Sequence, residues 1–285
     1  MKKLALIAVS GIVALASCKE VGPTIDFAKK VDSTYTATVE TPQNRNVMIE
    51  EFTGVTCANC PAGHAMIEGF EAKYPNRIIE ARIYPFNFGQ ATPTDVTKQD
   101  FRTQKGTDLA FVFFGGLSFM PACVIDRVPV NNQIMVSSPS WSDQVDKRIA
   151  TVTPLNMYIT SAYDAGSKTA NITVKTAITQ DIAKKLNLTV AIVEDSIIDA
   201  QEYPSTTDTF YMHQSVLRDF VTDYTGSEIL PGLNPKPAGQ VYIRYFSYKL
   251  SNDAWVPEHC RVIAWISNNE GKDIEVAQSV VTHVK

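Results

Sequence analysis

Residues 47–61 read VMIEEFTGVTCANCP. Val47 to Phe52 is a compact apolar and acidic run that ends at Gly54, and from Cys57 onward Ala62, Ala65, Met66 and Phe70 recur at helical spacing. The simplest parse is strand, loop, helix. Pro61 fits the first helical turn, where backbone N–H groups have no intrahelical acceptor. Arg77 to Tyr84 (RIIEARIY) is a second strand, so the segment reads as a βαβ unit with a parallel pair.

Moving outward, residues 85–118 hold Pro85, Gly89, Pro93, Gly106, Gly115 and Gly116 and read as an elaborated connection with one helix over Thr94 to Gln104. Phe119 to Arg127 is a strand opened by Pro121, and Pro139-Ser140 starts a closing helix over Trp141 to Ala150. Residues 46–153 therefore form an expected α/β domain. Beyond Pro154 the period changes. Leu155/Met157/Ile159, Ile172/Val174, Leu188/Val190/Ile192 and Val241/Ile243/Tyr245 alternate at strand spacing between turn-rich segments. An all-β, immunoglobulin-like sandwich is expected over 154–285, with one helical interruption at Thr209 to Asp219.

The N-terminus reads as an export signal. Lys2 and Lys3 precede an apolar stretch, Leu4 to Ala14, too short to span about 30 Å of hydrocarbon. Leu15-Ala16-Ser17-Cys18 resembles a bacterial lipobox, which implies removal of residues 1–17 and lipidation of Cys18. Lys19 stands where inner-membrane lipoproteins often carry aspartate, so an outer membrane location is expected. Residues 18–45 are polar, contain Pro23 and Pro42, and read as a tether with one short strand. Loss of the two leader lysines changes the formal charge from −4 to −6. With 45% apolar and 20% charged residues the chain is neither disordered nor a polytopic membrane protein. No long basic run is present, which argues against nucleic acid as a partner.

The five cysteines are Cys18, Cys57, Cys60, Cys123 and Cys260. Only Cys57 and Cys60 sit at a strand-to-helix turn, where unpaired N–H groups and the helix dipole favour a thiolate. Cys57 is the candidate nucleophile, and Cys60, one turn on, the resolving thiol. Two other readings stay open: a purely structural disulfide, and a zinc site joined by His64 that lacks a regularly spaced fourth ligand. His213 and Arg218, on the expected helix, read as packing or hydrogen-bonding residues before an anion site. No Ser-His-Asp set, G-x-G-x-x-G or phosphate loop is found, so no cofactor is expected.

The run Glu51-Phe52-Thr53-Gly54-Val55-Thr56-Cys57-Ala58-Asn59-Cys60-Pro61 resembles the active-site segment of thioredoxin-fold proteins. It resembles more closely that of the outer membrane protein 28-related lipoproteins of the Bacteroidetes, with weaker support from Tyr211 to Arg218 and His259 to Val262. The resemblance implies a thioredoxin-like domain followed by a β-rich domain. It places a cis-proline at Pro121, lets Met120 present its backbone to an extended substrate, and makes Glu51 a buried acid able to take a proton from Cys60. Thr56 stands where thioredoxins carry tryptophan, and Ala58-Asn59 supplies no thiolate-stabilising histidine. The expected activity is thiol–disulfide exchange on protein clients at the cell envelope. The alternative is a surface receptor or adhesin in which Cys57–Cys60 is a permanent staple.

Overall fold

The computed structural model describes residues 31–285. The expected signal segment, Cys18 and the first part of the expected tether lie outside the described residues. Among the described residues fourteen strands and three α-helices follow one another in the order β1 (Ser33–Thr36), β2 (Val47–Phe52), α1 (Cys60–Lys73), β3 (Ile78–Ile83), α2 (Gln104–Asp108), β4 (Ala122–Ile125), α3 (Trp141–Ile149), β5 (Leu155–Asp164), β6 (Thr169–Ile178), β7 (Leu186–Glu194), β8 (Ile197–Tyr203), β9 (Thr206–His213), β10 (Val216–Phe220), β11 (Ser227–Glu228), β12 (Gln240–Lys249), β13 (Cys260–Asn268) and β14 (Val276–His283). The chain is mostly β.

The strand–loop–helix–strand reading of the CxxC segment matches the observed elements. β2 is buried along its whole length because it is central, paired in parallel with β3 and antiparallel with β4. Val47 and Ile49 face Ile67 and Phe70 of α1 and Trp141 of α3. Met48 and Phe52 face the opposite core.

The expected boundary at 153/154 does not interrupt the fold. One large sheet runs in the order β14-β13-β7-β10-β3-β2-β4, with β11 added to β7, so strands from both sides of the boundary share one hydrogen-bonded layer. Residues 31–285 form one compact unit. The sheet also curls until its first strand meets its sixth: Val276 N–H donates to the Asp126 carbonyl, and Asn46 Nδ2 donates to the Ser279 carbonyl at 2.9 Å. Inside the curl Met48, Ile83, Val124, Val193, Ile263 and Trp265 make one core. On the outer face α1 and α3 cover one end. The four-stranded sheet β1-β12-β6-β5 covers the other, its Met157, Ile172 and Val174 meeting Val190, Ile192 and Val262. A two-layer β arrangement is therefore present, but its second layer continues into β10, β3, β2 and β4 and is not a self-contained immunoglobulin-like domain.

Three local expectations change. The tether is built into the fold from Ser33: β1 pairs with β12, Gln43 N–H donates to Asn156, and Arg45 is buried with Nη1 2.7 Å from the Val276 carbonyl. The helix expected at Thr94 to Gln104 is a loop, and helical structure begins only at Gln104. The helix expected over Thr209 to Asp219 is instead the end of β9 and most of β10. The pairing of β10 with β7 shifts register between Leu217 and Asp219, and that bulge gives the apolar residues a spacing that imitates a helix.

Candidate functional site

Cys57 lies on the loop after β2, and Cys60 is the first residue of α1. The two are joined by a disulfide, with Cα atoms 5.3 Å apart. Cys57 N–H donates to the Gly54 carbonyl and Cys60 N–H to the Cys57 carbonyl, which winds the loop tightly into the helix.

Two other parts of the chain close over this loop. The turn at Gly89–Ala91 brings the Gln90 carbonyl to the Thr56 N–H at 2.9 Å and to its hydroxyl at 3.0 Å. A side chain at Gly54 would put its Cβ 2.2 Å from that same carbonyl oxygen, so only glycine permits the approach. From the other side comes the β8–β9 hairpin. Gln201 Nε2 donates to the carbonyls of Gly54 (3.1 Å) and Cys57 (3.3 Å), and Glu202 N–H donates to the Val55 carbonyl. Under this cover Cys57 retains 1% of its exposure and Cys60 none.

The Met120–Pro121 peptide bond is cis. Pro121 packs on α1 at Gly63, where an added Cβ would lie 3.1 Å from the proline ring. A groove of about 380 Å³ runs beside this contact, lined by Asn59, Ala62, Met66, Phe119 and Met120. Phe119 is exposed at its edge.

Glu51 is fully buried under α1. Its carboxyl is 3.5 Å from both His64 Nε2 and Arg82 Nε, and neither oxygen has a hydrogen-bond partner, the sulfurs included. Burial pushes it well above the usual carboxylate range against the pull of Arg82, with Glu80 adding to the rise. His64 is held well below its ordinary value, first by burial and then by Arg82 and His213. His64 is therefore neutral near pH 7. His64 spends its ring nitrogens on the Thr53 hydroxyl and the Tyr211 hydroxyl, and the zinc reading loses its two thiolates to the disulfide.

Cys123 and Cys260 are free, buried thiols in separate cores, so the two are not bridged. Burial raises both, Cys260 to about 12, which leaves them unreactive. His213 and Arg218 lie on strands and serve packing: the His213 ring nitrogens lie 3.2 Å from the Tyr84 hydroxyl and 3.3 Å from the Ala200 carbonyl, and Arg218 pairs with Glu194 at 2.7 Å.

The structure thus brings Cys57, Cys60, Met120 and Pro121 to the start of α1 with Glu51 beneath it. Gln201, which covers that site, carries no motif, and Tyr211, which braces it through His64, lies in a segment that supports the resemblance but has no site role in it. Only long-range contact makes them part of it.

The buried histidines give the fold an acid-labile element. Burial lowers His213 to about 4, whereas an unfolded histidine titrates near 6.5. Between those values only the unfolded chain takes up the proton, so stability falls as pH drops through that window. His64 acts in the same direction. Glu71 opposes it: burial raises this carboxyl to about 7, so the folded state is the one that takes up protons between pH 7 and 4.5. Urea unfolding at pH 7 and pH 5 should show His213 contributing about 2 kcal/mol of loss. His213→Gln, which keeps a polar partner for Tyr84, should lose correspondingly less stability on acidification than the parent.

A mostly β chain with a CxxC disulfide at the head of a helix, on a curled sheet backed by a second β layer, is the class that these observations define. The model of the outer membrane protein Omp28 family matches residues 112–285, and the chain belongs to that family. Its location is the outer membrane. No curated protein matches in sequence. Among solved structures the chain is similar to HBP35 of Porphyromonas gingivalis, with a TM-score of 0.66 at 18% identity, covering 85% of this chain and 76% of that one. It also matches a domain of the outer membrane lipoprotein Omp28 from the same organism at TM-score 0.31 and 18% identity, covering 47% of this chain and 91% of that domain.

Proposed function

We propose that this outer membrane protein is a lipid-anchored binding protein, tethered through Cys18, in which a thioredoxin-like unit serves as scaffold and Cys57–Cys60 as a structural staple. The observation that carries the reading is the closure of both sulfurs beneath the Gln90 turn and Gln201. Exchange begins when a thiolate reaches a disulfide sulfur, and a bond without solvent access is not available to one. What stays open beside it is the groove of Met66, Phe119 and Met120, which suits an extended segment of a partner protein. Among the described residues neither the N–H nor the carbonyl of Met120 has a hydrogen-bond partner, so the groove offers main-chain groups as well as apolar surface.

Thiol–disulfide exchange is the second reading. It is favoured by the disulfide at the head of α1, the cis-proline packed on that helix and the buried carboxyl of Glu51 below. It requires the β8–β9 hairpin to withdraw before a client thiolate can attack. A redox titration of the native protein, with maleimide labelling of the released thiols, separates the two. A staple stays oxidised to below about −300 mV, and Cys57→Ser then changes no insulin-reduction rate. A midpoint between about −270 and −120 mV, with insulin turnover abolished by Cys57→Ser, makes the protein an exchange enzyme instead.

A further inference from the structure

On the far side of α1 from the proline groove lies a larger, open cavity of about 740 Å³, bordered by α1, the β8–β9 hairpin and the ends of β7, β13 and β14. Its apolar wall is Pro61, Ala65 and Met212. Two tyrosines, Tyr203 and Tyr211, stand in it with ring centroids 6.3 Å apart and near-perpendicular planes. Glu68 and Glu71, three residues apart on α1, complete it.

The charges in and behind this wall do not balance. Arg261 is committed to Asp195, with Nε 2.5 Å and Nη2 2.7 Å from its carboxylate, and to the Ser215 hydroxyl. Behind the wall the fully buried Arg82 is bonded to Glu80 at 2.9 Å, while its Nη1 and Nη2 have no hydrogen-bond partner; Nη2 stands 3.6 Å from Glu68 Oε1, beyond a hydrogen bond. Glu71 has neither an ion pair nor a hydrogen bond among the described residues. Glu71 is left facing the cavity without an ion pair, and Glu68, half exposed, has only the long pair to Arg82 at 3.6 Å.

We infer that this cavity binds an organic cation, the ammonium or guanidinium group of a lysine or arginine side chain on a partner polypeptide, held by Glu68 and Glu71 and flanked by the Tyr203 and Tyr211 rings. Tyrosine faces attract cations through their quadrupole, and partial enclosure strengthens that attraction. The volume exceeds the needs of a metal ion, and among the described residues no set of three or more histidine, cysteine or acidic side chains is placed to hold one. Burial, with Glu80 and Glu68 nearby, pushes Glu71 up to about 7, as expected for a carboxylate lacking its counter-charge. The groups facing it are Glu68 on α1, Glu80 and Arg82 on β3, Arg261 on β13, Asp195 after β7 and His283 on β14. Of these Arg261 and Arg82 lower it. The site is separate from the disulfide and does not depend on whether that bond is exchanged.

The test is a titration of the mature protein with Nα-acetyl-lysine amide and Nα-acetyl-arginine amide, followed by NMR at low salt, with Nα-acetyl-glutamine amide as the neutral control. The expected result is saturable binding of the cations alone, with shifts at Tyr203 and Tyr211 and weaker binding at pH 6 than at pH 8. Glu68→Gln/Glu71→Gln should weaken it by about tenfold or more. Asp143→Asn/Asp253→Asn, which removes the same charge from exposed sites elsewhere, should leave it unchanged. Loss of binding in both double variants would mean attraction to net charge alone and would overturn the site. So would undiminished binding in Glu68→Gln/Glu71→Gln, absence of saturation, or displacement of the probe by calcium at equal concentration. Thermal midpoints of the variants confirm that each is folded.

Discussion

Arg127→Ala is expected to cost the fold about 3–5 kcal/mol, the range for breaking one side of a buried ion pair. The guanidinium is fully enclosed and meets Glu50 through two bonds, Nε to Oε2 at 3.0 Å and Nη2 to Oε1 at 2.7 Å. It also lies over three rings, 4.9 Å from the Phe113 centroid, 5.4 Å from Phe114 and 5.5 Å from Trp265. Removing it strands the Glu50 carboxylate inside the curled sheet and opens a cavity among aromatics. The location magnifies the damage. Arg127 follows Asp126, whose carboxylate accepts from Met48 N–H and Arg148 Nε and whose carbonyl accepts from Val276 N–H, so this corner closes β14 onto β2. Both residues hold positive φ, 46° and 53°, a conformation that aspartate visits but that an arginine Cβ tolerates poorly, so the surrounding bonds must enforce it. Guanidinium chloride unfolding measures the cost. Glu50→Gln/Arg127→Met, which leaves no unpaired charge, should lose less than Arg127→Ala. If Arg127→Ala falls within 1 kcal/mol of the parent, water reaches Glu50 and the corner is not sealed.

That corner also shows where sequence reading stops. The path from Val47 to Ile83 was legible because each part has a local signature: a six-residue apolar–acidic run, a glycine, a proline in the first turn of a helix with periodic apolar residues, then a second apolar run. The two-layer β character after Pro154 was legible for the same reason, since β5 and β6 alternate. β7 did not reveal its partners. LNLTVAIVE is buried on both faces, and no period distinguishes a strand that ends a sandwich from one that continues through β10 into the first half. Glu50 and Arg127 are separated by 76 intervening residues, and nothing near either announces the other.

The candidate site divides along the same line. The disulfide, the cis-proline at Pro121 and the burial of Glu51 came from one short motif and its resemblance. The cover that determines whether the sulfurs can react came from residues 90 and 201, one in a long connection and one in a hairpin whose end imitates a helix. A motif records which groups chemistry could use. Whether solvent reaches them is a property of the rest of the chain.

Gln201→Ala is therefore expected to accelerate reduction of Cys57–Cys60 by dilute dithiothreitol roughly 5- to 150-fold, because removing Nε2 leaves the Gly54 and Cys57 carbonyls without that donor at a cost of about 1–3 kcal/mol to the closed hairpin. Gln201 is fully buried, and its backbone neighbour Glu202 still pairs with Val55, so the hairpin keeps one anchor and closes again. Val174→Ala supplies the comparison. It removes buried methyl groups from the four-stranded sheet, far from the disulfide in the fold, at a similar global cost of about 2 kcal/mol. If the sulfurs are reached by local opening, Gln201→Ala speeds reduction and Val174→Ala does not. Equal acceleration by both would mean that the bond is reached only through global unfolding and that the hairpin does not open on its own. Rapid reduction of the parent, unmoved by either change, would contradict the closure of the site, since the nucleophile would then already have access to a sulfur that the packing of Gln90 and Gln201 excludes.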